Sequence, residues 1–195
     1  AEVVEALHQF RAHSPGAQDG PHTLDRLWEM ASRPLSEGQR IAIERTVGLT
    51  GDPEPQGNIG EDLGRSQSQI SYDVSKGMER LDLSVLAEAI EALEIVLEGF
   101  GGIVRLDELG QRFESEWPAG VVTGVGIVRL LIRVSSGRAH LLEVDGADQP
   151  LVAQPLFDRE TLKAFAAEVV RMAGQWPPVE PDSARRTLAG LLPHY

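Results

Sequence analysis

The stretch IGEDLGRSQSQISYDVSKGMERL, residues 59–81, constrains the fold more than any other part of the chain. Ile59 and Leu63 are four apart, and Ile70, Val74 and Leu81 follow at offsets of 0, 4 and 11. Apolar residues at such intervals share one face of an α-helix. The pattern therefore reads as two helices, about 59–63 and 66–81, that bury their apolar faces in one corner. Gly64 suits the left-handed turn between them, and Ser66 suits the N-cap of the second helix. What the second helix shows to the outside is unusual. Gln67, Ser68, Gln69, Ser71, Tyr72 and Ser75 are neutral hydrogen-bonding side chains, with Lys76 the nearest cation on that helix.

The flanking sequence extends the helical reading. Residues 1–12 have an apolar face of Val3, Val4, Leu7 and Phe10, and HSPGAQDGP (13–21) is a turn-rich linker. A helix over 24–32 carries Leu24, Leu27, Trp28 and Ala31 on one side and stops before Pro34. Ser36 with Gln39 three residues on is a capping box opening a helix through Val47, and residues 48–58 are a loop by their Gly and Pro content. Residues 83–98 form an amphipathic helix with Leu83, Leu86, Ile90, Leu93, Val96 and Leu97 inward and Glu88, Glu91, Glu94 and Glu98 outward. After the GFGG turn come an extended piece at 103–106, helices over 107–115 and 123–135, and two extended runs around DGADQ (145–149) that predict a β-hairpin. Helix, strand, helix, helix, hairpin is the order of a winged helix. A long helix over 158–172, a PPVEP break and a short helix over 183–192 end the chain.

Charge and composition exclude several functions. With 18 Lys and Arg against 30 Asp and Glu the net charge is −12, a field that repels phosphate as a whole. There are 14 acidic against 8 basic residues in 1–82, 11 against 5 in 83–155, and 5 of each in 156–195, so no unit is basic. Any nucleic-acid contact must come from a local face or a neighbouring chain. The absence of cysteine rules out disulfides, thiol catalysis and cysteine-ligated zinc, and suits a cytoplasmic location. No run of about 18 apolar residues predicts a membrane span. GVG at 124–126 has neither a third glycine nor a following Lys-Ser/Thr, so phosphate-loop patterns fail. His8, His13, His22, His140 and His194 are scattered, and the acidic stripe of 83–98 has no His at metal-binding spacing. Trp28, Trp117 and Trp176 sit among apolar neighbours as core anchors. No catalytic, metal or cofactor site is expected, and no small-molecule substrate. The start at Ala1 and the stop at PHY read as a piece of a larger parent chain.

Residues 35–81 resemble region four of bacterial sigma factors and related helix-turn-helix proteins, on Ile59, Gly60, Leu63, Gly64, Ser66, Ile70, Val74 and Leu81. Gly101, Gly102, Glu108, Leu109 and Arg112 are similar to the leading motif of winged-helix domains of the HARE or delta-subunit type. Tandem segments of this kind also resemble the C-terminal parts of kinases of phage growth limitation (BREX) systems. The resemblance implies a mainly α fold: N-terminal helices (1–34), a helix-turn-helix (35–82), a winged-helix unit with one small β-hairpin (83–155) and a C-terminal helical segment (156–195). It also implies a non-catalytic segment that binds or positions its parent on double-stranded DNA, in transcription regulation or phage defence.

On that reading Gln67, Ser68, Gln69, Ser71 and Tyr72 read base edges. Gln pairs bidentately with adenine and Ser suits either edge. Arg65, Lys76 and Arg80, with Arg129, Arg133 and Arg138 of the second unit, are the phosphate contacts. Sigma-type reading helices usually carry Arg at several outward positions, whereas this one carries Gln, Ser and Asp73. The same residues fit an acidic helical adaptor that binds a partner protein without touching DNA, its polar face solvated and its arginines paired with the glutamate stripe.

Overall fold

The computed structural model describes residues 23–143 and 149–155, together with positions 160, 163, 164, 167, 168 and 171, which are helical. The N-terminal helix and linker, most of the hairpin turn and the final helix expected from the sequence lie outside the described residues. Among the described residues the chain is mainly α-helical with a small antiparallel sheet.

Five helices come first: α1 (Leu24–Ala31), α2 (Glu37–Val47), α3 (Gln56–Leu63), α4 (Gln67–Arg80) and α5 (Leu83–Gly99). Strand β1 (Ile103–Arg105), helices α6 (Leu106–Glu116) and α7 (Gly124–Val134), and strands β2 (His140–Leu142) and β3 (Leu151–Ala153) follow. Strand β3 lies between β1 and β2 and is antiparallel to both, with Val152 opposite Val104 on one side and Leu141 on the other. From α5 onward this is the helix, strand, helix, helix, hairpin order read from the sequence.

Side-chain caps fix most helix starts. Thr23, Ser36, Ser66, Asp82 and Thr123 each accept a hydrogen bond from a backbone N–H of the first turn they precede. Helix α3 begins a turn earlier than its apolar residues suggest. Pro55, with φ −60°, stands at its N-cap, and its carbonyl accepts from the amide of Ile59 at 3.2 Å. The first turn therefore takes in Gly57 and Asn58 despite their loop-forming tendency.

Helix α5 departs from the expected pattern at one residue. Its buried arc is Leu86, Ala89, Ala92, Leu93, Val96 and Leu97, while Leu83 is 48% exposed. The arc turns toward Ala89 and Ala92, which carries Leu83 past its edge.

One apolar cluster runs through the molecule, joining Leu24, Trp28, Val47 and Leu49 to Leu81, Leu93, Phe113, Leu131 and Val152. The corner of α2, α3 and α4 has its own small cluster of Ala42, Ile59, Ile70 and Val74. The two are stitched by the α2–α4 contact, where the missing side chain of Gly77 lets Ile43 approach: a Cβ there would lie 2.7 Å from Ile43 Cδ1.

Candidate nucleic-acid interface

The α3–α4 corner is built by its backbone. Gly64 has φ +63°, Arg65 N donates to Gly60 O at 2.8 Å and Gly64 N to Glu61 O at 3.2 Å. These two bonds form a Schellman motif, which satisfies the end of α3 and reverses the chain in two residues. Gly60 has no room for a side chain, since a Cβ there would lie 2.6 Å from Arg65 O. The corner is further tied by Arg45 of α2, whose guanidinium bonds both Glu54 before α3 and Asp62 within it.

Helix α4 packs Ile70, Val74 and Gly77 inward. Its opposite face is open. Gln67, Ser68, Gln69, Ser71, Tyr72 and Ser75 are all exposed, Tyr72 to 63%. Arg65, Ser68, Gln69, Tyr72 and Asp73 line a shallow depression on this face.

Exposure alone does not make these residues equivalent. Gln69 Oε1 accepts from Ser66 N at 2.9 Å and lies 3.2 Å from Ser66 Oγ, while Ser66 Oγ accepts from Gln69 N at 3.3 Å. This is a complete capping box. Ser68 Oγ is held 3.0 Å from Ser66 Oγ. Gln67, Ser71, Tyr72 and Ser75 have side chains with no hydrogen bond among the described residues.

The nominated cations divide in the same way. Arg65 pairs with Asp73 at 2.7 Å, Lys76 with Glu79 at 2.7 Å and Arg138 with Glu94 at 3.0 Å. The bond to Glu79 raises the Lys76 ammonium above its ordinary value. Arg80, Arg129 and Arg133 have no carboxylate within ion-pair distance among the described residues. Partial burial lowers the guanidinium pKa of both Arg129 and Arg133, and Asp52 near Arg129 partly offsets this for Arg129.

Helix α7, the third helix of the winged-helix order, is placed differently from α4. Gly124, Gly126, Ile127, Val128, Leu130 and Leu131 are buried, leaving Arg129 and Arg133 on a narrow strip. Its N-terminal end is plugged: Thr123 N and Oγ1 both donate to Leu49 O, at 2.9 and 3.3 Å, and a Cβ on Gly126 would lie 2.6 Å from Leu49 Cα. On the other side Gly124 lies against Gly110 of α6. Asp25 of α1 holds the preceding loop by accepting from the amides of Val121 and Val122. The half of α7 that would enter a groove is thus occupied by its own protein.

Two site features escaped the sequence reading. One is the Arg65–Asp73 pair, made across the turn into α4. The other is the capping role of Gln69, although the Ser-x-x-Gln spacing recognised at Ser36 and Gln39 recurs at Ser66 and Gln69.

Among the described residues no group of three or more His, Cys, Asp or Glu is placed to hold a metal ion, and no helix is long and apolar enough to cross a membrane. No family model matches the chain, and neither a curated protein nor a solved structure matches it.

Proposed function

We propose that the chain is a non-catalytic DNA-binding or DNA-positioning segment of a larger bacterial protein. It acts in the cytoplasm, in transcription regulation or phage defence, in keeping with its resemblance to sigma factor region four and to HARE-like winged helices. The reading element is α4. The observation that carries this is the open polar face of a 14-residue helix set on a backbone-braced two-helix corner, with Gln67, Ser71 and Tyr72 uncommitted. A helix presented this way fits the major groove, where such side chains meet base edges. The buried α7 supports assigning the winged-helix-like unit to bracing rather than reading, with Arg129 and Arg133 as backbone contacts.

The alternative is an acidic adaptor that docks a partner protein through the same face. It is favoured by the Arg65–Asp73 and Lys76–Glu79 pairs, which neutralise two of the cations nearest that face. Amide chemical-shift mapping with a mixed-sequence duplex separates the two. The DNA reading expects shifts along residues 65–76 and little change over 124–128. A duplex that leaves 65–76 unmoved at low salt rejects it and leaves the adaptor.

A further inference from the structure

The face of α4 carries two glutamines two residues apart, Gln67 and Gln69, and only a side-chain amide with both its oxygen and its nitrogen free can make the two-bond contact that singles out adenine. Gln69 does not meet that condition. Its Oε1 is 2.9 Å from the donating amide of Ser66 and 3.2 Å from Ser66 Oγ, and turning the amide outward opens the box that starts the helix. Ser68 is drawn into the same cluster by Ser66 Oγ, and Arg65, the strongest hydrogen-bond donor at this end of the helix, is held by Asp73.

Gln67 stands apart from this network. It is exposed, it is the first residue of α4, and its amide makes no hydrogen bond among the described residues. Ser71, one turn on, lies on the same stripe and is likewise exposed and uncommitted.

Resting on the DNA reading above, we infer that Gln67 is the specificity-determining residue, pairing its amide with the Hoogsteen edge of an adenine in the major groove, and that Gln69 is a positioning residue that shapes the start of α4 without reading a base. The contact needs no rearrangement of the cap. A Gln67 Oε1 accepts from adenine N6 while Nε2 donates to N7, and Ser71 Oγ is one turn away for the neighbouring base pair.

The test is selection of bound sequences from a randomised duplex pool by the whole 195-residue chain, run for wild type, Gln67→Ala, Gln69→Ala and Gln69→Glu. Glu at the third helical position restores a capping box, so Gln69→Glu separates capping from reading. Wild type is expected to enrich adenine at one position. Gln67→Ala should lose that preference by roughly tenfold or more while still binding duplex. Gln69→Ala should melt earlier and keep the adenine, and Gln69→Glu should recover the melting temperature and keep it too. Adenine enrichment that survives in Gln67→Ala, that disappears in both folded Gln69 variants, or that never arises although wild type binds, overturns the assignment alone. A wild-type chain that retains no duplex overturns the DNA reading with it.

Discussion

At the residue scale, the chemistry of the α4 face is set by which side chains are already engaged. In the Arg65–Asp73 pair a partly exposed carboxylate holds the guanidinium at 2.7 Å. Removing the acid frees the base and deletes a negative charge from the binding face. Asp73→Asn is therefore expected to strengthen duplex binding several-fold at low salt and to steepen its salt dependence by about one phosphate contact. Fluorescence anisotropy of a labelled duplex checks this; equal affinity and slope for the two proteins would mean that Arg65 is not a phosphate contact. The sequence made the exposed set of α4 legible, because apolar spacing at Ile70 and Val74 leaves only one outward side. It did not make the engaged subset legible, since Arg65 stands before the N-cap Ser66, outside the helical repeat, and no helix spacing pairs it with Asp73 eight residues on.

At the level of elements, the glycines that let helices touch are the sharpest points of failure. A methyl group on Gly126 would collide with the backbone of Leu49, and one on Gly60 with the carbonyl of Arg65. Backbone cannot give way as a side-chain tip can, so Gly126→Ala and Gly60→Ala should each cost about 1–3 kcal/mol in chemical denaturation. Gly57→Ala meets nothing and serves as the control. The charged ties between elements give a pH dependence. Hydrogen bonding to Arg45 holds the Glu54 carboxyl below its ordinary value, and hydrogen bonding to Ser84 does the same for Asp82 at the cap of α5. A carboxylate with a depressed folded value stabilises fully above its unfolded value, about 4. That contribution disappears as pH falls through the folded value. Thermal melts should accordingly be flat from neutrality down to about pH 5 and drop below it, with a smaller acid-side drop in Glu54→Gln. The element order was readable because caps and turns at Ser36, Gly64 and Ser66 punctuate it. The burial of α7 was not, because Gly124 and Gly126, which looked like a failed phosphate loop, owe their identity to Gly110 and Leu49, residues distant in the sequence.

For the whole molecule, the main apolar cluster joins Leu24 and Leu49 to Leu93 and Val152, and the separate cluster of the corner meets it where Gly77 lies against Ile43. Leu93→Ala, at a site with no solvent exposure, should cost about 2–5 kcal/mol. The loss should register equally in probes of both parts, in one transition; two separated transitions would show that the corner unfolds by itself. Charge acts at the same scale. A net charge of −12 opposes association with DNA, and of the six nominated cations only Arg80, Arg129 and Arg133 are without an ion-pair partner among the described residues. The most direct measurement of the central claim is the affinity of the chain for duplex DNA across a range of salt concentrations. Binding is expected at low salt, with log K falling against log salt at a slope no steeper than about −3, the limit for three phosphate contacts. No binding at roughly 50 mM salt, or binding unaffected by salt, would contradict a DNA-contacting α4.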